Sequence, residues 1–260
     1  MIAVDVIALD RAQYLDALRR DGAAFASSAR AAGLTTPVAS CPGWTVADLV
    51  WHLAEVHYFW GSVVHQRAAG GAEVINLHRP TDDANLFALY NMQFERLLQV
   101  LGEADPATEV WTWSEQHNVA FVLRRMAQET AVHRWDADAA AGRPAPIEAV
   151  LASDGIDEFL THFVDDVARN AQPLGGSVHI HCTDVAGEWT IHQMMLADVD
   201  VPALPAGFDV AREHAKGDCA LRGPASDLLL ALWRRTPIAS IDAIGDTAVG
   251  ARFLASTNLT

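Results

Sequence analysis

Cysteine and basic residues are both scarce in this sequence. Its three cysteines, Cys41, Cys182 and Cys219, form an odd and scattered set that excludes a disulfide framework and lacks zinc-finger spacing. The chain has 18 basic and 33 acidic residues. The net charge of −15 argues against a general nucleic-acid binder and against adhesion to anionic membranes. A packed core remains available, because 51% of the residues are hydrophobic.

Several common sequence signals are missing as well. No apolar run reaches the roughly 20 residues that a membrane span needs, and the N-terminus lacks the basic start and apolar run of a secretory signal. We therefore expect a cytoplasmic protein. Neither the G-x-S-x-G turn of a hydrolase nor a glycine-rich phosphate loop occurs, so the sequence gives no support to those two enzyme classes.

The first half of the chain has apolar residues at helical spacing. The second of its helices is predicted to begin at Thr45, with Asp48 three residues later forming an approximate capping box. Four helices of about 20 residues are typical of an antiparallel bundle, and a fifth helix is expected after it. The predicted helices cover about 9–32, 45–66, 82–103, 116–141 and 147–170.

The second half changes to an alternating pattern. In "SVHIHCTD", Val178, Ile180 and Cys182 point to one side and the two histidines to the other, as in a strand. "EWTIHQ", "FDVAREH" and "GDCALRG" predict further strands, and "PASDLLLALWRR" predicts a helix with Pro224 in its first turn. The expected fold class is α+β, with a helical bundle over 1–145 and a small α+β domain over 146–260, divided at "GRPAP".

A candidate metal site lies in "ETAVHRWDAD", which starts at Glu129. Glu129 and His133 are four residues apart, so both side chains lie on one helix face. His52, among apolar neighbours on the second helix, could join them in the bundle core. Two imidazoles and one carboxylate leave coordination positions open, as catalytic sites require. Zinc is the first choice, and the same ligands suit non-haem iron.

Simpler interpretations exist for each of these residues. A single histidine on an apolar face is more often a hydrogen-bonded core residue, and a Glu-x-x-x-His pair can be only a helix-surface pair. Asp136 could orient His133 or pair with a neighbouring arginine. Cys41 is better explained as a packing residue than as a nucleophile. The two histidines of "SVHIHCTD" are better explained as exposed polar residues of a strand than as metal ligands. The rival histidines for the metal site are His57, His65, His117 and His162.

Longer motifs add a family resemblance. "SCPGWTVADLVWHLAEVH", "ETAVHRWDAD" and "GRP", followed by "VHIHCTD", "GEWTIH" and "LRGPASDLLLALWRR", together resemble the maleylpyruvate isomerase family of mycothiol-dependent enzymes. The resemblance covers nearly the whole chain. It implies a DinB-like helical bundle with a divalent metal, usually zinc, held by His52, Glu129 and His133, followed by the C-terminal α+β domain of that family.

The resemblance also implies a reaction. Mycothiol, a low-molecular-weight thiol, would be ionised at the metal and attack a small electrophilic substrate, giving cis–trans isomerisation or thiol transfer. The alternatives are a mycothiol S-transferase in detoxification or secondary metabolism, and a non-catalytic small-molecule binding protein. The family resemblance is stronger evidence for the fold and the metal than for the reaction.

Two arginines are candidates for binding the reactants. Arg235 matches the family arginine associated with substrate or thiol binding, and we assign it a catalytic role in holding a substrate carboxylate. Arg79, in the loop after the second helix, is assigned to cofactor binding. The role of Arg235 requires the C-terminal domain to lean over the mouth of the bundle. Arg234 stands where the family has glycine, and the helix is expected to persist because arginine is the better helix former.

Overall fold

The computed structural model describes residues 2–3, 9–164, 173–198 and 201–257. It confirms the α+β class, with four helices followed by a small region of sheet and helix. The contacts divide the chain into two compact units, one of Leu9–Ile147 and the other of Glu148–Thr260 together with Met1–Ala8. Within the described ranges, no helix has both the length and the apolarity to cross a bilayer.

The first unit consists of α1 (Arg11–Ala32), α2 (Val46–Gln66), α3 (Leu86–Glu103) and α4 (Val119–Ala140). Helix α1 packs against α4, and α2 packs against both α3 and α4. This arrangement places inward-facing residues of α2 and α4 side by side. Residues of all four helices are fully buried in its core, among them Leu18, Phe25, Leu53, Tyr90, Leu97 and Val122.

Side-chain caps fix where the helices begin. The predicted capping box of α2 is confirmed, since the Thr45 hydroxyl accepts from the Asp48 amide and the Asp48 carboxylate accepts from the Thr45 amide. Asp10 and Gln13 form a second box at α1, and Asn118 caps α4. A fixed α2 start matters for the site, because Asp48 lies one turn before His52 on the same helix face.

The second unit begins with α5 (Ala149–His162) and contains a five-stranded sheet in the order β4-β3-β2-β6-β7. The β2/β6 pair is parallel and the other pairs are antiparallel. A separate ladder joins the two-residue strands β1 (Ile2–Ala3) and β5 (Glu213–His214). The other elements are β2 (Val178–Cys182), β3 (Glu188–Asp198), β4 (Val201–Ala211), β6 (Cys219–Gly223), α6 (Ala225–Leu232), β7 (Asp242–Gly245) and α7 (Thr247–Ser256).

The predicted strand alternation of β2 is confirmed, because Val178, Ile180 and Cys182 are all buried in the core of this unit. Strand β7 and helix α7 were not predicted. The predicted end of α5 is too late, since the helix stops at His162, and the predicted positions 165–170 lie outside the described residues.

The expectation that Arg234 continues a helix is wrong. Helix α6 ends at Leu232, and Arg234 has φ +57°, in the left-handed region. Glycine is favoured there because it has no Cβ to clash with the backbone, which gives a physical reason for glycine at this position in the family pattern. The guanidinium donates hydrogen bonds to the Leu254 carbonyl and to the Thr257 hydroxyl, which partly offsets the strained backbone.

Replacing Arg234 by glycine and by alanine tests this conformation. Both variants lose the guanidinium, so their difference in the free energy of unfolding isolates the backbone. We expect Arg234→Gly to be the more stable by about 1 kcal/mol, because alanine at positive φ is strained by roughly that amount. Urea denaturation measures the difference. A more stable alanine variant, as helix propensity alone would give, would contradict the left-handed assignment.

Candidate metal centre

Helices α2 and α4 bring the three predicted metal ligands together in the first unit. Nε2 of His52 and Nε2 of His133 each lie 3.2 Å from the same oxygen, Oε1 of Glu129. The two imidazole rings meet edge to face, with centroids 4.9 Å apart. The i, i+4 spacing on α4 and the packing of α2 on α4 therefore place all three side chains at one point.

The spacing of these donor atoms suits a small divalent cation. Zinc binds imidazole nitrogen and carboxylate oxygen at about 2.0–2.2 Å, so neighbouring ligand atoms in a tetrahedral site lie roughly 3.3 Å apart. The separations from Glu129 Oε1 to both ring nitrogens are close to that value. Two nitrogens and one oxygen also match the donor set of zinc and of non-haem iron.

The second carboxylate oxygen of Glu129 is held by an arginine that was not predicted as a site residue. Nη2 of Arg125 donates to Oε2 of Glu129 at 2.5 Å, and Arg125 is buried. Its position four residues before Glu129 on a helix was the signal that could have identified it. The ion pair orients the carboxylate so that Oε1 faces the two histidines.

Asp136 orients His133, one of the two interpretations given above. Its Oδ2 lies 2.8 Å from Nδ1 of His133, and the carboxylate is fully buried. Its other oxygen accepts from the Ser40 hydroxyl at 2.6 Å, and the Cys41 thiol lies 3.8 Å from Oδ2. Because Nδ1 carries the proton towards Asp136, Nε2 is left as the nitrogen available for a metal.

The segment before α2 therefore supports the site at several points. Besides Ser40 and Cys41, Trp44 packs its ring 5.0 Å from the His52 ring, and Thr45 caps the helix that carries His52. The "SCPGWT" motif thus consists largely of residues that position His52 and His133. A cleft of about 220 Å³ opens beside His52, between α2 and the segment 74–77.

The charges of the site are set by these contacts. Burial raises the pKa of Glu129, but Arg125 and the two histidines outweigh it and hold that pKa well below its usual value, so the carboxylate is ionised. Burial lowers the pKa of His133, but the hydrogen bonds to Asp136 and Glu129 outweigh the effect of burial and raise the pKa of His133 to about 9. Without a metal, His133 is therefore cationic at neutral pH.

A second donor set overlaps the first. Cys41, His133 and Asp136 also offer ligand atoms within 4.8 Å of one another. This set uses Nδ1 of His133, so a cation there would displace the 2.8 Å hydrogen bond to Asp136. A cation bound by His52, Glu129 and His133 would leave that hydrogen bond in place, so we take these three residues as the candidate site.

The rival histidines lie elsewhere. Among them, His57 is fully buried in the bundle core, where its Nε2 contacts the Thr130 hydroxyl and burial lowers its pKa to about 3. His65 is exposed, His117 lies near Thr112, and His162 ends α5 in the second unit. The exposed-polarity interpretation of the β2 histidines is wrong for His179, which is 7% exposed and contacts Glu188.

The two candidate arginines lie in different units. Arg79 forms ion pairs with Asp48 at 2.6 Å and Asp83 at 3.2 Å, which fixes its loop to the start of α2. Arg235 follows α6 in the second unit, is half-buried, and donates from Nη1 to the Trp233 carbonyl at 3.0 Å. Their assignments to reactant binding stay predictions.

The sequence matches two family models. The mycothiol maleylpyruvate isomerase N-terminal domain matches residues 15–138, and the MDMPI C-terminal domain matches residues 150–252. This chain belongs to the mycothiol-dependent maleylpyruvate isomerase family. The predicted resemblance is thereby confirmed, and the bundle unit that holds the candidate site lies largely within the N-terminal match.

Solved structures agree with this family at the level of the fold. A crystal structure of the mycothiol-dependent maleylpyruvate isomerase is similar with a TM-score of 0.62, and a point mutant of the same enzyme with 0.60. Each match is 12% identical and covers 92% of this chain and 94% of the other. No match was found among curated proteins.

Metal binding at this site should release a proton. His133 is cationic below its pKa of about 9, and it must lose one proton before Nε2 can bind a metal. We expect about one proton released from His133 per metal at pH 7, falling towards zero above pH 9, with affinity rising up to tenfold per pH unit in between. Calorimetry in buffers of different ionisation enthalpy measures this release. A release that is the same at pH 7 and above pH 9 would contradict the assignment.

Proposed function

We propose that this family member is a metal- and mycothiol-dependent enzyme whose metal is held by His52, Glu129 and His133. The observation that carries the proposal is the convergence of two imidazole nitrogens on one carboxylate oxygen, each at 3.2 Å. Zinc is the proposed metal, since it accepts this mixed donor set and leaves a position open for a further ligand. When bound there, a divalent metal lowers the pKa of a coordinated thiol.

The chain's own residues prepare the site for that chemistry. Arg125 fixes the Glu129 carboxylate, and Asp136 holds the proton on Nδ1 of His133, so that both ligands are presented in one orientation. His52 is 30% exposed at its side chain while His133 is 8% exposed, so the site is open on the His52 side. The cleft beside His52 is the proposed place for the thiol and its electrophile.

The proposed reaction is cis–trans isomerisation of maleylpyruvate, the substrate named for the structural relatives. The thiolate sulfur adds to the conjugated double bond, which leaves a single bond free to rotate. Elimination then breaks the carbon–sulfur bond, re-forms the double bond and returns the thiolate, so the step needs no external oxidant or reductant. Arg235 is proposed to bind a substrate carboxylate through its guanidinium, and Arg79 to contribute to thiol binding.

Removing single ligands tests the metal and the reaction together. His52→Ala and His133→Gln should each lose the metal of the bundle site and lower turnover more than about 100-fold, since even residues that only support ligands are worth 10–100-fold. The measurements are elemental analysis and conversion of maleylpyruvate to fumarylpyruvate with mycothiol. His65→Ala is the matched control, because His65 is an exposed histidine on the same helix.

The metal and activity measurements also distinguish the isomerase from the S-transferase and from the non-catalytic binding protein. Full metal content and activity in His52→Ala would overturn the proposed site. An active wild type that forms a stable mycothiol adduct with another electrophile, and does not isomerise maleylpyruvate, would replace the isomerase with an S-transferase. A wild type with neither metal nor turnover would point to the non-catalytic binding protein.

A further inference from the structure

A cluster of three histidines and one glutamate occupies one face of the sheet in the second unit, outside the site described above. His179 and His181 lie two residues apart on β2, so both point to the same face. Glu188 of β3 stands directly opposite His181 in the antiparallel register. His214 comes from β5 and completes the cluster.

The three imidazole rings converge on one oxygen atom of Glu188. Oε2 of Glu188 lies 2.9 Å from Nε2 of His179, 3.1 Å from Nδ1 of His181 and 2.5 Å from Nδ1 of His214. The three rings are roughly perpendicular to one another, with centroids 5.4–6.4 Å apart. One ligand atom from each residue lies within 4.8 Å of all the others.

Hydrogen bonding alone is a poor explanation for this arrangement. Three charged imidazoles at these distances would repel one another with only one carboxylate to balance them. Three neutral imidazoles would place more ring nitrogens around one oxygen than its lone pairs can serve. A divalent cation resolves both problems, because it accepts a lone pair from each ring and neutralises the carboxylate.

The strand that carries two of the cluster's histidines is packed on its other face. The opposite face of β2 is core, with Val178, Ile180 and Cys182 buried, and His179 itself is 7% exposed. Donors carried on paired strands keep their geometry better than donors on loops, so this set is preorganised for a ligand. Exposure increases from His179 towards His214, whose side chain is 62% exposed, so a cation can enter from that side.

We infer that His179, His181, Glu188 and His214 form a second, structural metal site that binds zinc or a similar divalent transition metal. Nitrogen-rich sets of this kind favour metals of the zinc class, whereas magnesium and calcium prefer oxygen ligands. Four protein ligands close a tetrahedral site, which is the mark of a structural rather than a catalytic metal. The metal would tie β5, which is only two residues long, to the β2/β3 pair.

Metal stoichiometry of the full-length, untagged chain tests this inference. After chelation and reloading with zinc, we expect about two zinc ions per chain, one of them from the bundle site on which the proposed function rests. His181→Ala and His214→Ala should each lower the content to about one. His192→Ala, an exposed histidine of β3 outside the cluster, should keep both, and magnesium should not occupy either site.

Different results would disprove the bundle metal site and the second metal site. If His181→Ala and His214→Ala keep the zinc content of the wild type, the second site is wrong whatever the bundle does. If His133→Gln keeps its full content while the cluster variants lose one zinc, the bundle site is wrong and the second site stands. Zinc should also raise the unfolding temperature of His133→Gln but not of His133→Gln combined with His214→Ala, and an equal rise in both would overturn the inference.

Discussion

The candidate metal site of the bundle unit is organised around one shared carboxylate oxygen. Oε1 of Glu129 is the meeting point of His52 and His133, while Arg125 holds the other oxygen of the same side chain. Burying an ionised carboxylate is costly unless charged partners surround it. Arg125, His52 and His133 provide such partners for Glu129. The two histidines also direct their Nε2 atoms at one point, as a metal site needs.

The loop before α2 connects this centre to the rest of the unit. Ser40 contacts Asp136, Trp44 packs on His52, and Thr45 caps α2 through Asp48. The same Asp48 binds Arg79, and Arg79 together with Thr45 lowers the pKa of Asp48 to about 2. These contacts link the Arg79 loop and the segment before α2 to His52 and His133, so changes in either segment are expected to act on the candidate site without contacting it.

The sequence predicted what depends on local periodicity or on the family motifs, which include His52, and it failed for tertiary contacts outside those motifs. Helical spacing placed Glu129 and His133 on one face, and the capping pattern placed the start of α2. It gave no sign that His214 joins His179 and His181, because β5 reaches them only through tertiary contacts with β3. Arg234 shows a different limit, since helix propensity describes a helix interior and not a left-handed residue beyond the helix end.

Anomalous diffraction from crystals grown with zinc would test the central claim most directly. The account predicts a peak about 2.0–2.2 Å from Nε2 of His52, Nε2 of His133 and a carboxylate oxygen of Glu129. Asp136 should keep its hydrogen bond to Nδ1 of His133. A peak at Nδ1 of His133 with Cys41 and Asp136, or no peak within about 4 Å of His52, would contradict it.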